Sequence, residues 1–296
     1  MILKVALYEL MAALKTRRAL IITLVYLAFS ALGAYLYVAA IKAVEDTLIN
    51  AMIAQGADAL SAASTISMVE EEAYQKIIAF FVGTEIERIN PALLRSPLLP
   101  PFMWGSLSFL PFLILLTGFD HVVSDVHSRS IRYSLLRVSR TELLLGKTLG
   151  QLILLASVTI ISSIFLLLAA AVQLESFSII DTAPALALAW LEIMPFGFCY
   201  VGLVTLCSSV TRQPFGALAL SSAGLIGLKV LGFFQHIPSD HDLAPLYWLS
   251  YLSPSRYETG LWMADPSGPL TSTLAYVLLG AGFVMLANIF LEKRDL

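Results

Sequence analysis

Charge is what this sequence has least of. Of its 296 residues only 13% are Asp, Glu, Lys or Arg, against 58% hydrophobic. With a mean hydropathy of +0.82, that composition lies outside the range of a soluble globular domain. Cysteine is nearly absent. Cys199 and Cys207 share one apolar stretch and stand about 12 Å apart along a helix, too far to pair, so no disulfide framework is implied.

Motifs that carry chemistry are missing too. Gly146-Lys147-Thr148 has the ending of a phosphate-binding loop, but Thr141 stands where that motif needs Gly, and Leu143, Leu144 and Leu145 stand where it needs a flexible loop. The chain itself is expected to bind no ATP and to hold no catalytic or cofactor-binding residue. No histidine pair has HExxH spacing, and no Ser or Cys sits in a nucleophile elbow with a paired His. His121 and Asp125 are one turn apart with His127 nearby; His236, Asp240, His241 and Asp242 cluster after the fifth apolar run. Solvated loop side chains account for both groups, with His236 and His241 the metal contacts to consider.

What is present is six long apolar runs, at residues 19–41, 98–119, 148–174, 183–210, 215–234 and 270–291. Each is long enough to cross a hydrocarbon core of about 30 Å. The first is too long for a signal peptide's apolar region and follows a polar helix. The expected fold is an all-α integral membrane protein, residues 1–296 forming one domain of six transmembrane helices. Residues 2–18 put Ile2, Val5, Ala6, Leu10, Ala13 and Leu14 on one stripe, the pattern of an in-plane helix leading into the first span. Residues 42–97 are Ala-rich and acidic, with two amphipathic stretches divided by Gly56. They read as a helical extracytoplasmic cap, on which a further partner could dock. The loop 235–269 is rich in aromatics, as at a membrane–water interface.

Residues 120–147 are the one polar, basic interval between long apolar runs. Arg129, Arg132, Arg137, Arg140 and Lys147 face only Asp120, Asp125 and Glu142. The spacing predicts a short amphipathic surface helix, a turn near Ser139, and a second helix entering the bilayer at Gly146. Of the eighteen basic residues, twelve fall on the side of this loop and of both chain ends, and five on the other. By the positive-inside rule both termini are cytoplasmic. The remaining cation, Lys229, and Glu192 are the two charges placed within spans. Such charges are costly in hydrocarbon, and the tight turn at Arg212 to Pro214 makes spans four and five antiparallel neighbours, so the two are expected to share a cavity or to pair.

The string SLLRVSRTELLLGKTLGQ resembles the cytoplasmic loop of ABC-2-type permeases, the membrane subunits of bacterial ATP-driven exporters. Arg140, Glu142, Leu145, Gly146 and Lys147 fit its turn and span-start pattern. YELMAALKTRRAL resembles that family's elbow helix, and the tail LEKRDL its Arg-Asp ending. Where the family has an acidic cluster with Gly-Thr, this chain reads His127-Ser128-Arg129-Ser130-Ile131. The resemblance implies a permease subunit in a bacterial inner membrane and a pathway formed with a second permease subunit, as homo- or heterodimer. It also implies two separate ATPase subunits holding ATP and Mg, with residues 126–140 as a coupling helix contacting them through Arg129, Arg132, Arg137, Arg140 and Glu142. Membrane lipids are the other partners; no nucleic acid is expected. Two readings stay open beside it: an intramembrane enzyme, and a non-transporting scaffold for soluble partners.

Overall fold

The computed structural model describes residues 1–15, 17–54, 89–91, 98–173, 179–236 and 244–294. Helix α1 covers Ile2–Lys15 and helix α2 Arg17–Ala54. Within α2 the membrane-length segment is Leu20–Ala43. Residues 44–54, assigned from the sequence to the cap, continue the same helix about 16 Å further. The rest of that region, 55–88 and 92–97, lies outside the described residues, as do His241 and the side chain of His236.

Helix α3 (Leu99–Gly118) opens on Pro100 and Pro101, tolerated in a first turn whose N–H groups have no intrahelical acceptor. Two short helices, α4 (Val123–His127) and α5 (Ile131–Leu135), cross to α6 (Arg140–Gln173). Then come α7 (Ile179–Val210), α8 (Pro214–Phe233), the short α9 (Ala244–Leu249), three 3-10 turns over residues 250–262, and α10 (Ser267–Glu292). Six of these helices are long and apolar enough to cross a membrane. Among the described residues no strand forms; a lone bridge joins Ile89 to Met263, beside Asn90 N–H donating to Trp262 O at 2.8 Å.

Helix α6 begins at Arg140, directly after the turn expected near Ser139, and its 34 residues span about 51 Å. Ser139 and Glu142 make a capping box: Ser139 N–H donates to Glu142 Oε2 at 3.1 Å and Glu142 N–H to Ser139 Oγ at 3.2 Å. The helix is thus nucleated about 10 Å before its apolar run begins, and its first two turns are packed into the bundle, with Leu143, Leu144, Gly146 and Lys147 buried.

The bundle is arranged around α7, whose most apolar window is 72% buried, against 11% for α2 at the edge. Phe196 packs edge-on against Tyr200 and Tyr276, at ring separations of 4.9 and 5.4 Å. Helices α7 and α10 approach most closely at Gly202 and Gly280, where a Cβ on Gly202 would stand 2.6 Å from the Gly280 carbonyl oxygen.

Candidate functional site: a basic joint at the terminal end of the bundle

The joint begins with small residues. Gly146 and Gly150 lie one turn apart on α6 and let α1 rest on its backbone. A Cβ at Gly146 would meet Val5 at 2.5 Å, and one at Gly150 the Ala6 carbonyl oxygen at 3.0 Å. Between them, Lys147 is only 4% exposed. Its Nζ lies 2.9 Å from Glu9 Oε2 and 3.0 Å from Asp125 Oδ2, and donates to His121 O at 2.9 Å. Glu9 Oε1 in turn lies 3.0 Å from His121 Nε2, a close contact whose ring N–H is not aimed along the bond. Asp125 also accepts from Ser130 Oγ at 3.1 Å. A buried ammonium is tolerated only when paired and hydrogen-bonded, and all three of its donors have acceptors here. Burial alone would raise the Glu9 carboxyl; the His121 and Lys147 charges override it and hold the group at about 2.

From this anchor the segment 119–139 is fixed at two further points. Ser208 of α7 accepts the N–H groups of both Val122 and Val123 at 3.0 Å, satisfying the free donors that open α4. Ile131 is buried in a cluster with Val122, Leu143, Leu144, Val284 and Leu291. The turn between α4 and α5 puts Arg129 at φ 60°, a left-handed conformation uncommon for a residue with a side chain. Turned outward on the segment are Arg129, Arg132, Tyr133, Leu136 and Arg137, beside small polar residues and His127, with Tyr133 77% and Leu136 83% exposed. Three guanidinium groups therefore surround an apolar knob on a rigidly seated segment. Beside it a cavity of about 320 Å³ opens, lined by Glu9, Asp120, Asp125, Ser134 and Gln151 among others.

Two residues predicted to sit with the outward arginines do not. Arg140 donates from Nη1 to the carbonyls of Leu291, Glu292 and Arg294, and Glu142 is occupied by the capping box. Both shape the joint from within. Lys147, which the sequence places where the second helix enters the bilayer, is its buried centre. The expected encounter of Glu192 with Lys229 is also absent. Lys229 Nζ pairs with Glu258 Oε1 at 2.7 Å, in the loop after span five, while Glu192 Oε2 is buried with no hydrogen-bond partner among the described residues. A lysine's long stem reaches a nearby loop as readily as a neighbouring helix. Glu9, His121 and Asp125 were missed as members of one site. One signal was that Glu9, on the predicted in-plane helix, has no basic residue three or four places away to pair with. Among the described residues no cluster of His, Cys, Asp and Glu has the makings of a metal site.

Six apolar helices with a charged joint at one end make this a multi-pass membrane protein. The chain belongs to the ABC-2 transporter family: the family model described as ABC-2 family transporter protein matches residues 3–288. It is thus a transmembrane permease of the ABC transporter class. No curated protein is similar enough to the chain to count as a match.

Proposed function

We propose that this permease is the membrane half of an ATP-driven exporter, worked by separate ATPase subunits that dock on the segment 126–137. ATP and Mg are held by those subunits, two of which serve a pair of permease chains, and the chain performs no chemistry of its own. The excess of basic residues on the side of the joint supports a cytoplasmic location for it and for both termini, in a bacterial inner membrane. The observation that carries this reading is the outward face of Arg129, Arg132, Tyr133, Leu136 and Arg137, presented by a segment clamped to α1, α6 and α7. An apolar knob ringed by charges suits a specific protein contact, and clamping lets a push at the surface reach the spans.

A second permease subunit has a face to cover. An uncharged groove of about 770 Å³ opens between α2 and α3, lined by Tyr26, Phe29, Trp104, Phe109 and Phe112 among others. A cysteine in place of the exposed Phe112 is expected to cross-link two copies in native membranes, and a chain that stays monomeric there would remove the groove from the interface.

Reversing Arg129, Arg132 and Arg137 to Glu tests the docking reading. These side chains are exposed and make no hydrogen bond or ion pair with the described residues, so insertion and melting temperature are expected to stay unchanged while co-purification of the ATPase is lost. Undiminished co-purification would move the docking surface elsewhere.

A further inference from the structure

Two arginines far apart in sequence close the same end of the bundle. Arg140, in the first turn of α6, donates from Nη1 to the carbonyls of Leu291, Glu292 and Arg294 at 2.8, 2.7 and 2.9 Å. Arg294, past the end of α10, donates from Nη1 to Ser209 O at 2.9 Å and from Nη2 to Thr211 O at 2.8 Å. The last carbonyls of a helix lack intrahelical partners and carry the negative end of its dipole. A guanidinium presents several donors in a fixed fork, which suits it to hold such carbonyls in register. The two contacts stand in series: the start of α6 grips the end of α10, and the residue just past α10 grips the end of α7.

We infer that Arg140 and Arg294 are positioning residues, a latch that passes displacement of the docking segment to α7 and α10. Arg140 lies three residues after Arg137, the last of the outward arginines, so it moves with whatever moves that face. Its route leads to α7, the most buried of the spans, and to the helix that meets α7 through Gly202 and Gly280. Apolar packing at this end, through Leu144, Val284 and Leu291, resists separation but has no fixed direction. Charged hydrogen bonds to named carbonyls do, three gathered on one nitrogen of Arg140 and two on the fork of Arg294, so the arginines convert a push into a tilt of particular helices rather than a slide between them. The inference rests on the coupling reading above, and it assigns Arg140 a task other than contact with the ATPase.

The test is a double-substitution cycle of Arg140→Ala, Arg294→Ala and both, read in two ways. One reading is the melting temperature of the purified chain. The other is ATP hydrolysis by the co-purified ATPase relative to the ATPase alone. A latch predicts non-additive losses in both, with several-fold loss of stimulation in either single variant and an unchanged amount of co-purified ATPase. Arg294→Lys is expected to restore both only in part, because an ammonium lacks the fork that spans two carbonyls. Tyr276→Phe, which removes the bond from Tyr276 Oη to Pro254 O at the opposite end of the bundle, is expected to lower melting without lowering stimulation. Additive melting would overturn the series connection. Full stimulation in the Ala variants would reduce both arginines to helix caps and overturn the positioning role. An unsubstituted chain that stimulates nothing would overturn the coupling reading itself, and the latch's role with it, before any variant is measured.

Discussion

Lys147 illustrates how one residue's role depends on what folds back onto it. Followed by Thr148 and an apolar run, it has the look of a cation anchoring a helix at the membrane surface. Its partners are Glu9, 138 residues earlier, and Asp125, on a helix of five residues. Nothing in the spacing reveals that α1 returns to this point; only Gly146 and Gly150, four apart as at close helix contacts, hint at a neighbour. Removing the ammonium by Lys147→Met leaves two buried or half-buried carboxylates facing each other. The expected loss is roughly 3–5 kcal/mol, recovered in part by adding Glu9→Gln; additive losses in a double-mutant cycle would show that the pair does not interact. Glu9 gives the same cluster a pH signature. Its carboxyl is held at about 2 against an ordinary 4.5, so the folded chain takes up this proton less readily than the unfolded one. The stability it confers is therefore whole above about pH 4.5 and lost as pH falls through about 2. The melting-temperature gap between native protein and Glu9→Gln should narrow as pH falls from about 5 towards 2, and a gap that does not narrow there would contradict the assignment. Arg129 makes a third point. Its left-handed turn costs about 1–2 kcal/mol for a residue with a side chain, so Arg129→Gly should raise stability while weakening ATPase docking; a fall in stability would mean the turn is held by the side chain instead.

Among the elements, the spans were legible and the joint's geometry was not. Six apolar runs of membrane length translate directly into six helices, because hydrocarbon leaves the backbone no other way to satisfy its polar groups. The start of α6 was legible too, in the turn expected near Ser139, where Ser139 and Glu142 three apart make the capping box. Intramembrane charge misled: depth along a helix is readable, whereas direction around it is not, and Lys229 turned to Glu258. Packing between spans rests on glycine in a way that contrasting substitutions reveal. Gly202→Ala forces a Cβ against the Gly280 backbone and is expected to cost about 1–3 kcal/mol as overpacking. Gly227→Ala, on α8, meets nothing within 4 Å and is expected to be neutral or to stabilise by up to about 1 kcal/mol. Equal melting temperatures for the two variants would mean that α7 and α10 are not in backbone contact.

For the whole molecule, orientation and coupling are one question, because a partner holding ATP must meet the joint on its own side of the membrane. A cysteine replacing the exposed Tyr133 should resist a membrane-impermeant thiol reagent in intact cells and react once the membrane is opened. Labelling in intact cells would invert the topology and separate the arginine face from any cytoplasmic ATPase. The most direct measurement of the account is ATP hydrolysis by the partner ATPase, reconstituted in lipid with and without this chain. Hydrolysis is expected to rise several-fold with the native chain and to fall back to the ATPase-alone rate when Arg129, Arg132 and Arg137 are reversed to Glu. A rate indifferent to the chain, or a rise that survives the reversal, would contradict the claim that this face is where ATP-driven motion enters the permease.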